Sequence, residues 1–228
     1  MAPTKPTVSG KRKSTALVIG KETTQHGGVY QEPEQSSTNP LLIKQSPGLK
    51  KNATSDKPWF LTTAFVNPHD IMWFPCDQPW WQVDNKAETD HVRERLKARD
   101  WGRKENFPPF AYELDEWFTE LPENFHDDLH TKPDVHRRLG ACHAQMGSPG
   151  TMNREDEHLW LRYLDYYVKL HELNDAQMMR VFKTLDELNV WDDTIIIFTS
   201  DHGDQVGSHG LRSKGPWNYQ ETMRIPLI

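Results

Sequence analysis

The run Thr194-Ile-Ile-Ile-Phe-Thr199 is the most apolar short stretch of the chain, and it breaks at once into Ser200-Asp201-His202-Gly203-Asp204. An unbroken series of β-branched and aromatic residues reads as a strand buried on both faces. Such strands belong to α/β sheets, where ligands sit outside the carboxyl ends. A strand ending in metal-ligand residues is therefore a site hypothesis, and the rest of the chain either supports it or does not.

Lys57-Pro58-Trp59-Phe-Leu-Thr-Thr-Ala-Phe-Val66 reads as a second buried strand, and it stops at Asn67-Pro68-His69-Asp70. Proline does not continue a central ladder, so the chain turns here and presents His69 and Asp70. Two apolar strands, each followed by a His/Asp pair, point to one shared pocket. Between them, Glu155 to Asn189 repeats Leu161, Leu164, Val168, His171, Asp175, Met178, Phe182 and Leu185 at three- and four-residue steps, which predicts one long helix. His171 and Asp175 fall on that apolar stripe and read as a polar pair at the core edge. Helix followed by buried strand is half of a βαβ unit.

The remaining segments are less regular. Residues 1–56 are dominated by Pro, Ser, Thr, Gln, Gly and Lys and read as tail or linker, with Thr15–Gly20 a weak strand signal. Residues 57–228 read as the folded domain. Within it, about 71–150 is rich in Trp and Pro; seven of the nine tryptophans lie between Trp59 and Trp160. A long aromatic loop region beside a site strand suits a cap over substrate or, equally, a surface excursion packed on itself.

Composition narrows the function classes. The net charge is -6 with 26% charged residues, so no basic field argues for nucleic acid. No stretch approaches the roughly 20 apolar residues of a membrane span. The two cysteines, Cys76 and Cys142, make no disulfide framework. Met1–Lys13 lacks an apolar h-region, so no secretory signal is visible and the default expectation is cytoplasmic.

A carboxylate beside an imidazole, as in Asp201-His202, suits a divalent cation, whether Ca²⁺, Mg²⁺, Mn²⁺ or Zn²⁺. On the residues alone, the simpler reading is Asp201 as a turn former before Gly203 and His202 as an exposed turn residue. Gly207, Gly210 and Gly215 let the following segment fold back, so that Lys214 brings an ammonium to a tetrahedral anion; a solvated Lys214 is the plain alternative. His209 is open among extra ligand, acid to a leaving group, and polar loop residue.

Asp192-Asp193-Thr-Ile-Ile-Ile-Phe-Thr-Ser-Asp-His-Gly-Asp204, Gly207-x-His209-Gly210, Lys214-Gly215, Tyr219-x-Glu221 and Arg224-Ile-Pro-Leu227 resemble the second half of a sulfatase catalytic domain. Lys57-Pro-Trp-Phe-Leu61 through His69-Asp70 resembles the sulfatase strand that ends in Pro-His. The resemblance implies an α/β fold of the alkaline phosphatase superfamily, a partial sandwich with a mixed, mainly parallel sheet flanked by helices. It implies hydrolysis of small-molecule sulfate esters with a divalent cation, Ca²⁺ first. It implies Asp201 and His202 as metal ligands, and His69 and Lys214 as sulfate contacts assisting the leaving oxygen, with His209 beside them. Phosphodiester or phosphonate monoester hydrolysis, and a non-catalytic sulfatase-like protein, are the alternatives.

One departure is plain. Sulfatases build a formylglycine nucleophile from Cys or Ser in a C/S-x-P-x-R sequence, and none occurs here: Pro79 stands three positions after Cys76, not two. The early paired metal-binding aspartates are also not found, since Asp127-Asp128 follows no strand. The expectation is a partial sulfatase domain without turnover of its own.

Overall fold

A computed structural model describes residues 15–21, 60–65, 67–76, 78–98, 114–138 and 152–228. Its sheet has three strands, β1 (Thr15–Lys21), β2 (Phe60–Phe65) and β3 (Thr194–Ser200). Their order is β2-β1-β3 and both pairings are parallel. The weak signal at residues 15–20 is therefore the central strand, and the tail reading fails for this segment. Thr15-Ala-Leu-Val-Ile19 has β-branched character but lies far in sequence from its partners, so nothing local reveals the packing.

The register aligns the three carboxyl ends. Lys21 stands opposite Phe65 on one side and Ser200 on the other. Beyond β3 the sheet begins to turn antiparallel: Thr199 bridges Leu227, and Phe198 and Ile228 exchange backbone hydrogen bonds of 2.9 and 3.1 Å.

A 3-10 turn, His69–Trp73, follows β2, and then α1 (Pro79–Asp84) and α2 (Lys86–Ala98). A short helix, α3, spans 134–138. The long helix α4 runs Glu157–Glu187, with the Asp156 carboxylate accepting from Leu159 N–H at its start. It ends where Asn189 takes a left-handed φ of 52° and Val190 N–H returns to Leu185 C=O. Helix α5 is Gln220–Met223.

Helix α4 joins two cores. Its first half packs Leu159, Trp160, Tyr163, Tyr166 and Leu170 against Ile71, Phe74 and Phe125. Its second half lays Val181 and Leu185 on Leu61, Phe65, Ile196 and Phe198 of the sheet. His171 and Asp175 are exposed rather than at the core edge, because the buried face runs through Leu170 instead.

Two-sided burial of the strands is not what the described residues show. Ile195 is 59% exposed and Phe60 66% exposed, while Leu61, Phe65, Ile196 and Phe198 face α4. Successive residues of a strand point to opposite faces, and among the described residues only α4 covers a face.

Candidate functional site

Parallel register sends the segments after β2 and β3 out of one edge. Neighbouring strands lie about 4.8 Å apart, so the ends of β2 and β3 are separated by roughly 10 Å, with the backbone of Lys21 between them. His69 opens the 3-10 turn after β2 and is partly buried. Asp201 follows β3 directly. The two strand-end pairs read from the sequence thus share one edge.

Asp201 and His202 form a compact donor pair. Their facing atoms, Oδ2 and Nε2, are 3.4 Å apart, and their side chains are 27% and 19% exposed. The pair is held from behind: Asp201 Oδ1 accepts from His202 N–H at 3.0 Å, and Ser200 Oγ donates to His202 C=O at 2.8 Å. A separation of 3.4 Å is the bite of two ligands on one cation with bonds of about 2.0–2.6 Å. The two residues thus fit as part of a coordination shell. Among the described residues no group of three or more His, Cys, Asp or Glu joins them.

The segment 203–222 is a closed loop with a polar seam. Gly203 N–H donates to Thr222 C=O at 2.8 Å, and Gln205 N–H to Ser213 C=O at 3.1 Å. Inside, Gln205 Nε2 donates to Thr222 Oγ1 at 2.9 Å, and Thr222 Oγ1 donates to Lys214 C=O at 3.1 Å. Gln205 is 1% exposed and Thr222 7%. This seam folds Lys214 back toward the strand end. Burial lowers the Lys214 ammonium pKa, while the charges of Asp201 and Asp204 hold its proton on.

Arg212 joins this loop to the other strand end. It is 6% exposed and donates from Nη1 to Phe74 C=O at 3.0 Å and from Nη2 to Met72 C=O at 3.5 Å. The loop bearing Lys214 is thereby fastened to the turn bearing His69. On that turn's other side, Asn174 Nδ2 of α4 donates to Asn67 C=O.

His209, the remaining expected sulfate contact, sits in a network of protein contacts. Its Nδ1 lies 2.8 Å from Asp127 Oδ2, its Nε2 3.3 Å from Asn124 Nδ2, and its ring packs tilted against Tyr219 with centroids 4.6 Å apart. Asn124 Nδ2 also reaches Glu221 Oε1 at 3.3 Å. With Nδ1 protonated toward the carboxylate, Nε2 accepts from Asn124, and both ring nitrogens are used to clamp the 122–129 segment onto the loop. The Leu129 N–H and His209 together hold the Asp127 carboxyl below its ordinary range.

Two residues beside the strand ends escape a reading of the sequence alone. Arg212 and Asp204 sit inside a stretch already noticed but act across the fold; Asp204 helps burial raise the Tyr163 and Tyr167 hydroxyls. The signal for Asp204 was its place two residues after His202. No signal marked Arg212, whose acceptors are backbone carbonyls.

The sequence matches the model of the Sulfatase family over residues 13–228. An uncharacterized sulfatase of Escherichia coli, YidJ, is 34% identical over 184 residues, covering 79% of this chain and 28% of the relative. The multifunctional alkaline phosphatase superfamily protein PehA of Trinickia caryophylli is 45% identical over 92 residues, 40% of this chain and 17% of that protein. The matched segments therefore span less than a third of the length of either relative. In structure, a 2-O GAG sulfatase superposes with a TM-score of 0.55 at 19% identity, over 92% of this chain and 42% of its own, so the fold is shared. The chain belongs to the sulfatase family.

Proposed function

We propose that the carboxyl edge of the sheet is the sulfate-ester site of a sulfatase-type hydrolase, within a partial α/β sandwich. The observation that carries this is the Arg212 fastening. It joins the Lys214 loop to the His69 turn, which supports assigning the two strand ends to one anion site. Asp201 and His202 would hold a divalent cation, Ca²⁺ by preference for its oxygen ligand and with Mg²⁺, Mn²⁺ or Zn²⁺ as the alternatives. When bound, that cation would supply positive charge against the sulfate oxygens.

The chain's own residues have separate tasks. Lys214 offers a point charge to a non-bridging oxygen; burial lowers its pKa, and the charges of Asp201 and Asp204 oppose that lowering. His69 is suited to protonate the departing ester oxygen. His209 orients the loop from behind through Asp127 and Asn124. A C/S-x-P-x-R sequence does not occur in these 228 residues, so no residue here is assigned as nucleophile, and the chain alone is expected to bind without turning over.

Calorimetric titration with inorganic sulfate, with and without Ca²⁺, tests the reading. Binding should need Ca²⁺, and Lys214→Ala or Asp201→Asn should weaken it by roughly tenfold or more. Sulfate affinity unchanged in both variants would sink the site. Hydrolysis of an aryl sulfate that survives both Lys214→Ala and His69→Ala would sink the roles. A second reading, hydrolysis of a phosphodiester or phosphonate monoester, draws on the shared tetrahedral shape of the anions. An aryl phosphate assayed beside the aryl sulfate separates the two, and an absence of both anion binding and turnover would leave the non-catalytic alternative.

A further inference from the structure

We infer that a second binding site lies between α1 and the N-terminal end of α4, and that its ligand class is an organic ammonium cation. This goes beyond the sulfate-ester reading and uses none of its residues. The cleft has a volume of about 340 Å³, within the roughly 300–1,000 Å³ of small-molecule sites. Trp80 and Trp81 line it, together with Asp84 and Asp156.

Several of the lining groups are held in place before any ligand arrives. Trp81 is 6% exposed, whereas Trp80 is 47% exposed and packs edge-on against Phe74 at 6.1 Å. Asp156 Oδ1 is fixed by the Leu159 N–H at 3.1 Å. Asn85 Nδ2 donates to Trp81 C=O at 3.0 Å, and Asn153 Oδ1 accepts from Glu155 N–H at 3.1 Å. A preformed lining loses little entropy on binding.

The chemistry selects the ligand. Indole faces carry negative quadrupole density and attract cations, most strongly when the cation is weakly hydrated. Two carboxylates add to that attraction and repel anions. No Lys or Arg lines the cleft, and His158 is the one lining group able to carry a positive charge. The positive end of the α4 dipole is already offset by Asp156, Glu155 and Glu157 at its first turn. A metal ion is a poorer fit, since no group of three or more ligating side chains gathers among the described residues. A neutral sugar would stack on Trp80 but would leave the carboxylates unanswered.

The cleft is also on the functional side of the fold. With 31 residues α4 is about 46 Å long, and β3 with seven is about 23 Å. The helix feeds the amino end of β3, so its own amino end projects past the carboxyl edge. Trp160, next to the lining residue Leu159, lies 3.7 Å from the position a Cβ would take on Gly207 of the Lys214 loop.

Titration of the full 228-residue chain with tetramethylammonium at constant ionic strength, followed by tryptophan fluorescence and calorimetry, tests the inference. tert-Butyl alcohol, tetrahedral and with the same number of heavy atoms, serves as the neutral probe of the same shape. Saturable binding of the cation is expected, roughly tenfold tighter than the alcohol. Trp80→Ala and Asp84→Asn should each weaken it by roughly tenfold, and Lys214→Ala should leave it unchanged, which separates this site from the anion site. Equal affinity for the alcohol, no saturation, or no response to either cleft substitution would overturn it. Where Trp80→Ala lowers helix content by circular dichroism, Asp84→Asn at an exposed position decides.

Discussion

Gly203 and Asp127 show how single residues set the loop that carries Lys214. A Cβ on Gly203 would stand 1.9 Å from the Glu221 carbonyl oxygen. That oxygen is backbone, so no rotamer change relieves the contact, and the Gly203–Thr222 hydrogen bond must break. Gly203→Ala should cost about 2 kcal/mol or more, read as a lower urea midpoint. Asp127 makes a different contribution. Its folded pKa lies below the ordinary value of 3.8 because Leu129 N–H and His209 stabilise the carboxylate. A depressed folded pKa contributes stability that is present above the unfolded value and is lost as pH falls through the folded one. Asp127→Asn should therefore be less stable than the parent at pH about 7, and the gap should close below pH about 3.8. Urea curves across that range check it, and a gap constant with pH would place the effect elsewhere. Asp201-His202 was legible from residue types alone, because their chemistry is intrinsic. The clamping role of His209 was not, because Asp127 and Asn124 lie more than 80 positions away.

At the scale of the element, the loop 203–222 is organised by a buried seam rather than by regular structure. Thr222 Oγ1 both accepts from Gln205 and donates to Lys214 C=O. Thr222→Val keeps the shape, removes both bonds and leaves the Gln205 amide without this acceptor in a buried place. A loss of about 1–3 kcal/mol is expected. If the seam positions Lys214, sulfate affinity should fall as well, while Thr222→Ser restores both; calorimetry with the three proteins checks this. Helix α4 and strand β3 were visible as elements from period and β-branching. The helix's true buried face, through Tyr163, Tyr166 and Leu170, was only partly visible, since large tyrosines packed around Phe74 displace the expected stripe.

For the molecule as a whole, β1 is the piece on which the sheet depends. It is paired along both sides, with β2 and with β3. Proline in such a strand removes a donor and has no edge to hide on. Val18→Pro should abolish the cooperative thermal transition, and substitution of proline for exposed Phe60 in β2 should be milder. A Val18→Pro chain that melts like its parent would refute the central placement.

The amino-acid sequence by itself determined the local and chemical facts: two apolar strands that break into His/Asp pairs, one long helix, and a glycine-containing loop with a lysine. These follow from side-chain branching, periodicity and turn chemistry, which act over a few residues. The tertiary structure alone decided that residues 15–21 are the middle strand, that Arg212 fastens one strand-end segment to the other, and that His209 faces Asp127. Each of those depends on pairing between segments far apart in the chain, where register and burial choose among partners that local sequence leaves equivalent.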